Sequence, residues 1–306
     1  MSPEPLIDGR GGDAARWQRS LRGTCAALVL LSALPAGSQP GATGLRQALS
    51  AIAAGDDNDQ RRAAITQQLQ AAGIPFDLQT FTDPRAGSGV NVVVRLPGPG
   101  ARPILVGAHY DRVSVGRGVV DNGASCAVLL ELLANLRAAP LAKHPLTVVF
   151  FDLEERGLAG SRAYFQRIAV DNRPLYAVNV DVFGYGDSLF VTASRPPGAL
   201  LAALKGAAGE AGLPVRDVAA ERYPGSDHLS MIAAGVETLG VALVDAADVD
   251  AILTMGVPNA ARPGSGPKVM TIIHSTRDTM EAARPDEIAR ALPVVERMLR
   301  VVDRSN

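Results

Sequence analysis

The 306-residue sequence has few cysteines, few aromatic residues and no excess of either charge. Its two cysteines, Cys25 and Cys126, exclude a disulfide framework as the source of the fold's stability. Thirty basic and thirty-one acidic residues give a net charge of −1, with no block of like charge. This balance indicates no nucleic-acid partner and no polybasic patch for a membrane surface. Histidine is also scarce, with four in the whole sequence, so a histidine that lies beside acidic residues is informative.

What is present is the composition of a globular α/β protein, since 47% of the residues are hydrophobic. Apolar strand-like segments alternate with helical ones, which predicts a three-layer α/β sandwich with helices on both faces. The first two strands, at about 74–81 and 89–96, are joined by a turn, so we expect a mixed, largely parallel central sheet. Two helices separated by a polar break are predicted between residues 44 and 73, and further helices at about 124–138, 158–170, 197–212, 226–235 and 285–302.

The N-terminal segment differs from the rest of the chain. Arg16, Arg19 and Arg22 precede an apolar run over residues 24–34, and small residues with proline follow it. The run is shorter than the roughly 20 residues that span a bilayer, so it is typical of a signal peptide and not of a stable membrane span. We therefore expect a signal peptide at 1–38, a single catalytic domain at 39–306, and a secreted or periplasmic protein.

Acidic residues and histidines follow the apolar segments, except for Asp121, which opens the helix predicted at about 124–138. These residues are His109, Asp111, Asp121, Glu154, Glu155, Asp181, His274 and Asp278. We expect each preceding segment to be a strand, which places the polar residues at one edge of the sheet, where ligands bind in open α/β folds. Buried carboxylates this close together require a cation, because buried charges are paired or bound to metal.

The residue types narrow the choice of cation. Two imidazoles with three carboxylates suit zinc, less well manganese or cobalt, and not calcium. One open catalytic zinc site needs only three protein ligands and a water, so five or six such groups fit two metal ions that share a bridging carboxylate. One member of the Glu154–Glu155 pair is then free to accept a proton from the attacking water.

Six motifs, in this order, resemble the co-catalytic zinc aminopeptidase family, which includes secreted bacterial leucyl aminopeptidases, aminopeptidase Y and glutamate carboxypeptidase. They are "HYD", "DNGAS", "FFDLEERGLAGSRAYF", "NVDVFG", "GSDHL" and "HSTRDT". The resemblance covers about residues 89–300, and "EE-x-GL-x-GS" is its most specific part. It implies two zinc ions per chain and the hydrolysis of peptides that have a free N-terminus.

The resemblance also implies a ligand set. His109 and Asp181 would hold one zinc ion, and Glu155 and His274 the other. Asp121 would bridge the two ions.

The remaining polar residues receive catalytic or supporting roles from the same resemblance. Glu154 would be the general base, and Asp111 would orient the first histidine, as metal-bound histidines commonly require. Tyr223 matches a tyrosine that in some members hydrogen-bonds the tetrahedral intermediate. Asp227 and His228 match a family Asp-His pair, for which no role is predicted.

Other activities remain open. Glutaminyl cyclase resembles this family in fold and ligand set, and a metallo-carboxypeptidase or a non-catalytic relative would share the fold. The "GLAGS" run after the paired glutamates, and the position of Trp17 in the leader, favour the peptidase over the cyclase. The filled ligand positions disfavour a non-catalytic relative. Two departures from the family pattern lie beside the ligands, Gly123-Ala124-Ser125 and the absence of a proline after His274-Ser275, and together with loops such as 256–268 they bear on substrate preference.

Overall fold

The computed structural model describes residues 42–254 and 266–305, and within them eight strands form one sheet. The strands are β1 (Phe76–Asp83), β2 (Gly87–Leu96), β3 (Ile104–His109), β4 (Leu146–Phe151), β5 (Tyr176–Val180), β6 (Ser188–Ala193), β7 (Val215–Val218) and β8 (Glu237–Val244). Their order across the sheet is β1-β2-β4-β3-β5-β8-β6-β7. The central strands β4, β3, β5 and β8 are parallel, whereas β1 and β2 form an antiparallel hairpin. The predicted mixed, largely parallel sheet is confirmed.

Helices cover both faces of this sheet. The helices in the described ranges are α1 (Ala42–Ala53), α2 (Asn58–Ala71), α3 (Ala124–Ala138), α4 (Ala159–Arg167), α5 (Ala199–Ala211), α6 (His228–Ala233), α7 (Ala246–Thr254), α8 (Val269–Ile272) and α9 (Pro285–Ser305). Side chains of α1, α2, α3, α5 and α9 form the core on one face, and those of α4 and α6 form the core on the other. The predicted three-layer sandwich is therefore confirmed.

The strand β4 explains why the central segments are continuously apolar. Val148 and Phe150 point into the core under the larger helical layer, while Val149 and Phe151 point into the core under α4 and α6. Because successive side chains of a strand face opposite sides, a strand that is covered on both faces has no polar face.

Three described elements, β7, α7 and the short helix α8, were not among the predicted ones. The edge strand β7 has the sequence "VRDV", and its residues are half-buried or exposed, so it lacks the apolar run of a central strand. The helix α7 follows β8 after one residue and buries only Asp248, Val249 and Ile252. Short elements with so few buried apolar residues leave little periodic signal.

The apolar stretch Val119–Ala138 is the one part of the described chain that is long and apolar enough to qualify as a membrane span. In the fold, however, 78% of an 18-residue stretch within it is buried inside the protein, so its apolar side chains belong to the core. The predicted signal peptide at 1–38 and most of the loop at 256–268 lie outside the described residues.

Candidate active site

The carboxyl ends of β3 and β5 bring two of the predicted ligands together. β3 ends at His109 itself, which lies opposite Phe151 of β4. Asp181 directly follows β5, and its backbone N–H donates to the Val241 carbonyl of β8 at 3.0 Å. Because these neighbouring strands are parallel, their carboxyl ends lie at one edge of the sheet.

Two groups of donor atoms lie at this edge, and Asp121 belongs to both. In the first group, His109 Nε2 lies 3.2 Å from Asp121 Oδ1 and 3.4 Å from Asp181 Oδ1. In the second, His274 Nε2 lies 3.1 Å from both Asp121 Oδ2 and Glu155 Oε2. Asp121 therefore faces one histidine with each carboxylate oxygen, which is the geometry that a bridging carboxylate requires.

A second aspartate, Asp278, holds Asp121 in place. Its carboxylate accepts hydrogen bonds from the backbone N–H groups of residues 119, 120 and 121 at 2.8, 2.6 and 3.2 Å. These residues begin the buried segment Val119–Gly123, which leads into α3. Asp278 was grouped with the clustered acids in the sequence, and the structure places its carboxylate on the backbone that carries Asp121.

Asp111 contacts both the first histidine and the turn that carries the two glutamates. Its carbonyl oxygen and Oδ1 lie 3.2 and 3.3 Å from His109 Nδ1. Its two carboxylate oxygens also accept hydrogen bonds from the backbone N–H groups of Glu154 and Glu155, at 3.0 and 3.1 Å. One buried carboxylate thus fixes the ring of one ligand and the backbone of two further site residues.

This double role makes Asp111→Ala informative. We expect the variant to lose about 10–100-fold in zinc affinity or kcat/KM, the usual effect of removing a partner of a metal-bound histidine. Asp111→Asn keeps one acceptor oxygen and should lose less. Zinc competition titration and steady-state kinetics measure both effects, with Asp171→Ala, an exposed aspartate, as the control. Unchanged zinc affinity and kcat/KM in Asp111→Ala would contradict the role.

His274 reaches the site from a helical segment, so the predicted strand before it is wrong. The short helix α8 precedes it, and His274 itself has a φ of 54°. Asp248 of α7 accepts hydrogen bonds from the backbone N–H groups of Lys268 and Val269, at 3.0 and 2.8 Å. This carboxylate satisfies N–H groups at the start of α8, so a distant residue favours a helical turn where the apolar composition suggests a strand.

Backbone strain is concentrated beside the donor groups. Of the four described non-glycine residues with positive φ, Leu153 (56°) precedes Glu154, Val182 (52°) follows Asp181, and His274 is itself a donor, while Leu158 (63°) lies at the start of α4. A β-branched residue such as Val182 seldom adopts this conformation. Such strain persists where the surrounding structure imposes it, and it clusters at functional sites.

The crowded carboxylates alter one another's pKa. Burial raises the pKa of Glu154 to about 9, and neighbouring aspartates add to the rise. Burial and the charge of Asp121 raise the pKa of Glu155 to about 7. A hydrogen bond to Asp121 raises the pKa of His274 to about 9. Burial is the main cause for the two glutamates and the contact with Asp121 the main cause for His274, and a bound cation would lower all three pKa values.

The donor atoms fit divalent metal ions. Three groups have donor atoms that all lie within 4.8 Å of one another, namely His109–Asp121–Asp181, Asp121–Glu155–His274 and His109–Glu154–Glu155. The first two each combine one imidazole with two carboxylates, which suits zinc. Asp181 Oδ1 is buried and accepts no hydrogen bond from the described residues, so a cation would satisfy it. The third group places the Glu154 carboxylate beside the same donor atoms.

The donor groups line a cavity of about 280 Å³ whose remaining wall is mostly apolar. The apolar lining residues are Val182, Phe190, Tyr223, Pro224, Ala242, Val244, Ile252, Val269, Met270 and Ile273. Among the described lining residues there is no lysine or arginine. The cavity therefore suits an apolar group that lies beside a neutral or positively charged one.

Tyr223 lies in this cavity wall, stacked on Phe190 with the ring centroids 4.8 Å apart. Its hydroxyl lies 3.5 Å from the Phe190 carbonyl oxygen, and burial raises its pKa well above the ordinary value, so it remains a neutral donor. The His228 ring meets Tyr223 edge to face at 5.3 Å. The side chains of Asp227 and His228 are buried, and neither forms a hydrogen bond with a described residue.

The cavity wall could not be predicted from the sequence. Phe190, Ala242 and Val244 belong to β6 and β8, and both strands are apolar along almost their whole length. A residue that faces a cavity and one that faces the core are then the same residue types. Only the tertiary structure separates them.

A largely parallel sheet, with imidazole–carboxylate groups at its carboxyl edge beside an apolar cavity, is the architecture of a metal-dependent hydrolase. The sequence profile of peptidase family M28 matches residues 91–298. The chain belongs to this family, which confirms the resemblance seen in its motifs.

Three known proteins illustrate the similarity. Leupeptin-inactivating enzyme 1 from Streptomyces exfoliatus is 35% identical over 121 residues, which cover 38% of this chain but only 27% of that enzyme. The chain thus spans well under half of this relative. Crystal structures of the LapA aminopeptidase from Legionella pneumophila and a glutaminyl cyclase from an Acidobacteriales bacterium superpose with TM-scores of 0.64 and 0.66. The LapA aminopeptidase is 18% identical and is matched over 72% of its length, and the glutaminyl cyclase is 22% identical and is matched over 94% of its length. Each match covers 87% of this chain. At these identities the likeness shows the fold.

Proposed function

We propose that the chain is a zinc-dependent aminopeptidase that removes N-terminal residues from peptides and holds two zinc ions. The position of Asp121, with one carboxylate oxygen toward each histidine, is the observation that carries this proposal. The ligands would be His109, Asp121 and Asp181 for one ion and Asp121, Glu155 and His274 for the other.

The chain's own side chains would support hydrolysis in distinct ways. Bound zinc would supply a Lewis acid for the scissile carbonyl and lower the pKa of the attacking water. Glu154 would accept the proton of that water and pass it to the leaving amine. The neutral hydroxyl of Tyr223 would donate to the oxygen that becomes negative in the tetrahedral intermediate. Asp111 would hold the His109 ring and the backbone of Glu154 in position.

The charge of the cavity supports cleavage at the amino end of a peptide. Carboxylates line it, and no lysine or arginine is among its described lining residues. A C-terminal carboxylate would therefore find no lysine or arginine to pair with among these residues, whereas a free α-amine does not need one. The apolar wall further favours an N-terminal residue with an apolar side chain, because its burial is favourable.

Cyclisation of N-terminal glutamine is the second candidate, since the chain matches the fold of a glutaminyl cyclase over 94% of that protein's length. The same carboxylates could move protons in that reaction. The apolar wall offers few partners for a glutamine amide, however, and this favours the peptidase.

A panel of substrates separates these activities. Leucyl, alanyl, lysyl and glutamyl amides with a free amine would be compared with N-acetyl-leucyl amide, an N-blocked peptide and a glutaminyl peptide. We expect rapid hydrolysis of the leucyl amide and none of the N-acetylated form. Release of C-terminal residues from the N-blocked peptide would indicate a carboxypeptidase. Ammonia and a cyclised product from the glutaminyl peptide, without peptide cleavage, would indicate the cyclase.

We also propose export, on the basis of the arginines and the apolar run at residues 24–34. The mature protein should begin after residue 36–38 and comprise the catalytic domain. N-terminal sequencing of protein recovered from the medium or periplasm measures the start directly. A cytoplasmic protein that begins at Met1 would contradict the proposal.

A further inference from the structure

Arg61 is a fully buried charged residue on α2, and α2 lies before the segment that matches peptidase family M28. Among the described residues, no carboxylate forms an ion pair with its guanidinium. The guanidinium instead donates to three main-chain carbonyl oxygens, through Nε to Tyr110 at 2.5 Å, Nη1 to Arg117 at 2.9 Å and Nη2 to Gly118 at 3.0 Å. All its hydrogen bonds in the structure therefore go to one short stretch of backbone.

That stretch, residues 110–118, joins two proposed metal ligands. Tyr110 directly follows His109, and Gly118 directly precedes the buried segment Val119–Gly123, which contains Asp121. Arg61 thus binds the loop at both ends, one residue after His109 and three residues before Asp121.

Further arginines attach the same loop to the turn between α1 and α2. Arg117 donates through Nε and Nη2 to the carbonyl oxygens of Ala53 and Ala54, at 2.9 and 2.8 Å. Arg112 donates through Nη2 to the carbonyl oxygen of Asp56 at 2.5 Å. The N-terminal helix pair and the loop therefore form one hydrogen-bonded unit.

Core packing alone does not account for Arg61. A buried guanidinium without a counter-charge is costly, and an apolar residue of similar volume is often at least as stable in such a place. A planar group with a fixed fork of N–H donors can, however, hold several carbonyl oxygens in a defined arrangement, which an apolar side chain cannot do.

We infer that Arg61 is a positioning residue for the metal centre, because it fixes the Tyr110 and Gly118 carbonyl oxygens and hence the distance from His109 to Asp121. This inference rests on the proposed two-metal site. It extends the machinery of the site to α2, outside the family-matched region.

The test compares Arg61→Met, which keeps much of the buried volume but removes every donor, with Arg61→Lys, which keeps the charge and part of the hydrogen bonding. The readouts are zinc affinity by competition titration, the visible absorption spectrum of the cobalt(II)-loaded protein, and the melting temperature. Arg46→Met, which changes an exposed arginine of α1, is the matched control.

We expect Arg61→Met to bind zinc roughly 10–100-fold more weakly, as for other residues that orient metal ligands, and to show a shifted cobalt spectrum. Arg61→Lys should lie between this variant and the wild type, and Arg46→Met should match the wild type. A folded Arg61→Met with unchanged zinc affinity and cobalt spectrum, even if its melting temperature falls, would overturn the inference.

If the Arg61 variants do not fold, Arg117→Met tests the inference instead. It removes the side-chain hydrogen bonds from the loop to the end of α1, so it should also weaken zinc binding. Unchanged zinc affinity in that variant would then overturn the inference. The metal readouts are independent of substrate. A wild type that binds zinc but cleaves no peptide would refute the proposed function and leave the role of Arg61 intact.

Discussion

Removal of divalent metal by a strong chelator is expected to abolish peptide hydrolysis, and zinc is expected to restore it, with full recovery at two equivalents per chain. The physical reason is the crowding of carboxylates around two imidazoles, whose negative charge a bound cation would neutralise. Without metal, nothing in the described cavity lowers the pKa of the attacking water. Metal analysis with activity assays along a zinc titration measures both effects.

Matched variants test the number of ions. Asp181→Ala removes a ligand only from the first group, and His274→Ala removes one only from the second, so each should retain about one zinc equivalent. Asp121→Ala removes a ligand from both groups and should bind both ions weakly. Full activity in metal-free protein would refute the mechanism. One tightly bound zinc that is lost only in Asp181→Ala would show a single-metal site.

The layered fold and the first donor group could be predicted because the physics that sets them is local. A strand such as β4, covered on both faces, must be apolar at every position, so the sequence displays it as an unbroken run. Residues that follow parallel strands meet at one edge, so His109 and Asp181 could be placed together from the order of the runs alone.

Other features depend on residues far apart in the chain. The strand predicted before His274 is a helical turn because Asp248, twenty residues from Lys268, satisfies its first N–H groups. Arg61 reaches carbonyl oxygens 49 to 57 residues away. A carbonyl oxygen is present in every residue, so no sequence pattern marks those that bind a distant side chain.

Variants of the two adjacent glutamates test which of them is the general base and which is a metal ligand. Glu154→Gln keeps the side-chain volume but cannot accept a proton at neutral pH, so turnover should fall by the roughly 10²–10⁴ that general acid–base catalysis contributes. Burial and neighbouring carboxylates raise the pKa of Glu154 to about 9, so without metal this carboxyl is protonated at neutral pH. A bound cation nearby would lower its pKa and leave Glu154 able to accept a proton. Zinc content and KM should change little.

Glu155→Gln is the matched comparison, because its carboxylate lies 3.1 Å from His274 Nε2 and shares that group with Asp121. An amide binds zinc less well than a carboxylate, so this variant should lose one zinc equivalent and regain activity in excess zinc. Excess zinc should not rescue Glu154→Gln, since its defect is in proton transfer. Because Glu154 would also lie within reach of the proposed ions, it could be the ligand and Glu155 the base. If Glu154→Gln loses zinc while Glu155→Gln keeps it, the second glutamate is the base and the first is the ligand.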